Sequence, residues 1–207
     1  MTIQATAFLY GIALAATMLT ACAARPAAVE AAAGMDAKAA VVDISNFVPK
    51  DTAVRLEQRG DLDGDGDEDM LLVLQGLGGD EPQFKPRTLV LLRRNAGGQL
   101  EKVIDNPKAI LCQRCGSFML EDALEGIHIA KGGFSLRFEG LSRVMWSRDY
   151  RFEYAKQANT WQLREFKGGV TDRIDGRSCT IRMGPKDFGA ISLAQFDPED
   201  FLGCSLP

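Results

Sequence analysis

The chain has 207 residues, with 28 acidic against 24 basic side chains and a net charge of −4, long enough for one ordinary domain with a core. Beyond the first 21 residues no stretch is apolar for long enough to span a bilayer, and no stripe of Lys and Arg marks a nucleic-acid surface. Six of the 28 acidic residues fall within residues 61–69, which leaves 22 elsewhere against the 24 basic ones, so the acid is concentrated in one place.

Residues 1–21 carry no charged side chain and run through Ala7, Phe8, Leu9, Ile12, Leu14 and Leu19, the size and apolarity of a signal peptide. The stretch closes on Leu19-Thr20-Ala21-Cys22, which resembles the lipobox of bacterial prolipoproteins and implies Cys22 as a lipidated N-terminus. Ala23 in place of Asp after Cys22 implies, by resemblance to sorted lipoproteins, an outer-membrane protein facing the periplasm, with the lipid anchor as its membrane contact. Ala21-Cys22-Ala23 also fits an ordinary secretory cut, so a soluble periplasmic or secreted protein is the alternative. Residues 22–40, Ala-rich with Pro26, read as a flexible tether, because they hold too little bulky apolar surface to fold alone. Residues 41–207 then form a single β-rich domain.

The next informative segment is Asp61-Leu62-Asp63-Gly64-Asp65-Gly66-Asp67-Glu68-Asp69. Carboxylates at alternate positions of a tightly turned loop can converge on a hard cation that takes six to eight oxygens. Gly66 sets the frame, because the sharp turn needs a residue without Cβ. The frame gives Ca²⁺ as the cofactor, one ion, held by the side chains of Asp61, Asp63, Asp65 and Asp69 and the backbone carbonyl of Asp67. Six like charges in nine residues repel one another unless a cation neutralises them. Position 12 is Leu72, not Glu, and a strand-like Met70-Leu71-Leu72-Val73-Leu74 follows, which excludes an EF-hand pair. The loop is similar to the strand-flanked loops of integrin-type FG-GAP and related bacterial repeats.

From Thr52 to Phe166 the pattern is of short β-type runs broken by Gly-rich turns, predicting a mainly β fold of antiparallel sheets with a few short helices. Residues 71–74 and 87–94 suit central strands. Phe134, Leu136 and Phe138 alternate with Ser135, Arg137 and Glu139 after a Lys131-Gly132-Gly133 turn, and Trp146, Tyr150, Phe152 and Tyr154 share one face of a longer strand that Arg148 interrupts. Such an aromatic stripe is read as core. Helix is expected over residues 118–124 and at Asp197-Pro198-Glu199-Asp200, where Asp197 can cap and Pro198 suits the first position. Taken together, Asp43 to Pro49, the acidic loop, the segment from Trp146 to Tyr154 and that from Trp161 to Phe166 resemble a group of uncharacterised exported bacterial proteins. The resemblance implies a fold and a calcium site but no reaction.

Four cysteines remain beyond Cys22: Cys112, Cys115, Cys179 and Cys204. An even count in an oxidising compartment predicts two disulfides, with bridges between the Cys112/Cys115 segment and the C-terminal part expected to staple the tail. Closely spaced Cys112 and Cys115 also raise the alternative of a periplasmic thiol–disulfide oxidoreductase, although the strand–helix alternation of a thioredoxin-like fold is missing. His128, the one histidine, points away from an apolar strand face. No nucleophile elbow, phosphate loop or His cluster is present, so the favoured reading is a calcium-stabilised binding or structural module of the cell envelope, not an enzyme. No feature of the chain names a protein or glycan partner.

Overall fold

The β-type runs pair strictly with their neighbours in sequence. A computed structural model describes residues 42–78, 85–116, 119, 122–201 and 203–206. Strands β1 (Thr52–Gly60), β2 (Asp69–Gly76), β3 (Arg87–Arg94) and β4 (Leu100–Ile110) form one sheet in the order β1-β2-β3-β4. A second sheet holds β5 (Leu124–Ala130), β6 (Gly133–Leu141), β7 (Val144–Ala155), β8 (Thr160–Asp172) and β9 (Ser178–Met183), again in sequence order. Every pairing is antiparallel, so the fold is a pair of meanders and mainly β, as the sequence predicts.

The central strands of the first sheet, β2 and β3, are buried on both faces, which explains their continuous apolar runs. Leu71, Val73, Leu89, Leu91 and Ile104 point into a core shared with Ile127, Phe134, Leu136, Phe138, Tyr150, Phe152, Trp161, Leu163 and Phe166 of the second sheet. Met70, Leu72, Leu74, Val90 and Leu92 face the other way, where Val42, Ile44, Phe47 and Val48 cover them. The second sheet alternates instead: Phe134, Leu136 and Phe138 are buried, and Arg137 between them is exposed. Tyr150 and Phe152 of the aromatic stripe are core, Trp146 and Tyr154 pack against that core partly buried, and His128 is exposed. Arg148, the interruption in the stripe, lays its guanidinium 4.8 Å from the Trp146 ring and donates to the Pro198 carbonyl.

Beyond β9 come a one-turn helix, α1 (Pro185–Phe188), and a 3₁₀ turn over Pro198–Asp200. The cap at Asp197 forms as predicted, its carboxylate accepting from Glu199 N, with Pro198 at the first position. The tail then closes the sandwich. Leu193, Phe196 and Phe201 enter the core, and the Tyr150 ring meets Phe196, Phe201 and Phe166 at centroid distances of 4.8 to 5.5 Å. Its buried hydroxyl donates to Pro198 O, and burial raises the phenol pKa, so it stays a neutral donor. Asn106 donates to the carbonyls of Leu193 and Phe196.

Two sequence expectations change here. The disulfides are local, Cys112–Cys115 and Cys179–Cys204, with Cα separations of 5.1 and 6.0 Å, so no bridge joins the first segment to the tail. Tail stapling is left to Cys179 on β9, which holds Cys204. Of the helix expected over residues 118–124, Phe118, Leu120 and Glu121 lie outside the described residues, and Leu124 opens strand β5. Asp122 finds a partner that sequence separation conceals: both its oxygens receive the guanidinium of fully buried Arg87 at 2.6 Å, the fork geometry that arginine matches to a carboxylate. The signal and tether expectations of residues 1–40, including Cys22, lie outside the described residues. Among the described residues no helix is long and apolar enough to cross a membrane.

Candidate metal centre

The acidic loop is the connection of the β1–β2 hairpin, whose last pair is Gly60 with Asp69. Its backbone is wound by three consecutive side-chain turns. Asp61 Oδ1 accepts from Gly64 N at 2.7 Å, Asp63 Oδ1 from Asp65 N at 3.1 Å and Asp65 Oδ1 from Asp67 N at 2.9 Å. Aspartate is suited to this because its short side chain reaches a backbone N–H two or three residues on. The winding needs left-handed backbone at two places, which Gly64 (φ +83°) and Gly66 (φ +102°) supply. Gly66 is the turn position that the sequence frame singles out.

One carboxylate oxygen each from Asp61, Asp63 and Asp65 lies within 4.8 Å of the others. Two oxygens on the same Ca²⁺, each at 2.3–2.6 Å, stand at most about 5 Å apart, so this group could hold a metal ion. The donor set, all hard carboxylate oxygen, fits a hard cation and not a soft metal. Asp67 contributes its N–H to the winding, and Glu68 is exposed. Asp69 lies outside the three-carboxylate group. It is fully buried, and its oxygens accept from Leu62 N at 3.0 Å and Arg94 N at 2.8 Å, which pins the start of the loop to the end of β3.

Electrostatics at the loop run against ionisation. Burial pushes the Asp63 carboxyl above its ordinary range, with the Asp65 charge adding to it. Burial likewise raises Asp69, assisted by the charges of Asp63 and Asp65 and opposed by the N–H groups of Arg94 and Leu62. A carboxyl raised by folding makes its ionised form a cost to the fold. The cost is present at neutral pH and relieved as pH falls through the raised pKa. The cost is lightened by these N–H groups and, among the described residues, by Arg93 Nη1 at 4.0 Å from Asp63, while Lys131 Nζ lies 3.8 Å from Asp61. A divalent ion among the three carboxylates would offset it directly.

The loop is tied to both sheets. Trp161 Nε1 of β8 donates to the Leu62 carbonyl at 2.6 Å in a buried position, and Gly132 N of the β5–β6 turn donates to the Asp61 carbonyl at 2.9 Å. Sequence reasoning finds Trp161 as core but misses this anchoring role; the one available signal is that a buried indole N–H requires an acceptor. Compared with protein-family models, with curated proteins and with solved structures, the chain matches none.

Proposed function

We propose that the chain is an exported cell-envelope module in which one Ca²⁺, held by Asp61, Asp63 and Asp65, locks the edge where two sheets meet. The observation that carries this reading is the convergence of three carboxylates in a loop whose carbonyls are bonded by residues of the opposite sheet. The ion supplies charge neutralisation and order. Two disulfides support an oxidising compartment, and the lipobox-like Leu19-Thr20-Ala21-Cys22 supports a lipid anchor followed by a tether. An affinity on the order of 10⁻⁴ to 10⁻³ M would suit an ion-rich exterior.

One preparation tests both halves. The full chain, expressed in a Gram-negative host fed labelled palmitate, is expected to carry the label and, after detergent extraction, to take up one Ca²⁺ in a calorimetric titration. Asp63→Ala should keep the label and lose the calcium heat. An unlabelled protein would overturn the anchor, and a labelled protein that binds no calcium would overturn the metal reading.

A further inference from the structure

We infer that Cys112–Cys115 is an exchangeable, redox-active disulfide that reacts with peptide or protein thiols, while Cys179–Cys204 is the structural bond. This inference is independent of the calcium site. The two bonds close rings of very different size, with sequence separations of 3 and 25. A cross-link restrains the unfolded chain more as its ring lengthens, so the small ring has the weaker claim to a stabilising role.

That small ring is also redundant as a staple. The segment carrying it is already fastened at both ends by buried Arg87, which donates to Leu111 O at 3.5 Å and to both oxygens of Asp122. Ala123 N then closes on Gln113 O at 2.7 Å, and Cys115 N on Cys112 O at 3.1 Å. None of these contacts runs through a cysteine sulfur.

The two cysteines differ in access, Cys115 being exposed and Cys112 half-buried, so Cys115 is the one an incoming thiol meets first. Cys115 lines a cavity of about 350 Å³ with Leu111, Trp146, Arg148 and Glu199. Arg148 is held there by its stack on Trp146 and its bond to Pro198 O. Arg148 and Glu199 place one charge of each sign on this cavity, and Arg114, exposed between the two cysteines, adds a further positive charge. The apolar walls of Leu111 and Trp146 beside that cation suit a cysteine-bearing peptide.

The exchange balances without a cofactor. A thiolate of a substrate dithiol attacks Cys115 Sγ, the Cys112–Cys115 bond breaks, and its electron pair leaves on Cys112 Sγ, which takes up a proton. The second substrate thiolate attacks the substrate sulfur of the mixed disulfide and expels Cys115, which is protonated in turn. The substrate dithiol is oxidised by two electrons to a disulfide, and the Cys112–Cys115 pair is reduced to two thiols. The reverse reaction reduces a substrate disulfide.

The test is stepwise reduction of the folded protein in glutathione buffers, quenched by alkylation and read by peptide mass spectrometry. Cys112–Cys115 is expected to open at least about tenfold faster than Cys179–Cys204, with the melting temperature of the partly reduced protein little changed. The Cys112→Ser variant, which has no resolving thiol, should accumulate a mixed disulfide with glutathione at Cys115. The inference is overturned if both bonds open together, or if Cys112–Cys115 stays closed until the fold is lost. The wild-type rates decide the matter even where the variant does not fold.

Discussion

Saturating Ca²⁺ is expected to raise the melting temperature by roughly 5–10 °C, and Asp65→Ala to abolish the rise. At a free concentration of 100 times Kd, a ligand that binds only the native state adds about 2.7 kcal/mol. For a domain of this size each kcal/mol moves the midpoint by about 2–4 °C. Asp65 is the choice for substitution because it is exposed and its carboxylate bonds only Asp67 N within the loop, so its removal costs the cation-free fold little. The measurement is thermal unfolding followed by circular dichroism with calcium and with chelator. Equal midpoints in both would show that no ion acts on the fold.

The second large effect is expected at Trp161. Its side chain is 1% exposed, and its indole N–H is bonded to the Leu62 carbonyl, so Trp161→Ala combines a core cavity with a lost anchor and should cost about 3–5 kcal/mol in chemical denaturation. Trp161→Phe separates the two. It keeps much of the packing but leaves a buried carbonyl without its donor, a loss of about 1–3 kcal/mol. It should also shrink the calcium-dependent rise in midpoint, because a loop released from β8 must be ordered when the ion binds. A Phe variant with an undiminished rise would show that the loop and the second sheet are energetically independent.

Much of the fold is legible in the sequence because its strands carry their surroundings in their pattern. Residues 70–74 and 89–92 are apolar without interruption, and they lie in strands covered on both faces. Phe134, Leu136 and Phe138 alternate, and theirs is a strand covered on one. Strand β9 escapes notice because an edge strand reading Ser-Cys-Thr-Ile-Arg-Met has a weak apolar face. Phe196 and Phe201 carry no period at all, since the tail that buries them is irregular.

The acidic loop is legible for a different reason: its geometry is local, set by Gly66 and by aspartates that bond their own backbone two or three residues on. What escapes is whatever depends on distance in space. The bond from Trp161 to Leu62 spans 99 residues and the pairing of Arg87 with Asp122 spans 35. Asp69 reads as one more carboxylate in an alternating series, and that pattern does not show its burial or the two backbone donors through which it fixes the loop to β3. The cysteine pairing is of the same kind, because four thiols allow three connectivities and only the folded chain decides which sulfurs meet.

A crystal structure of the protein grown at saturating calcium bears most directly on the central claim. A single ion is expected there, coordinated by the side chains of Asp61, Asp63 and Asp65, with the indole of Trp161 still bonded to the loop backbone. Three solvated carboxylates turned away from one another, with no ion between them, would contradict it.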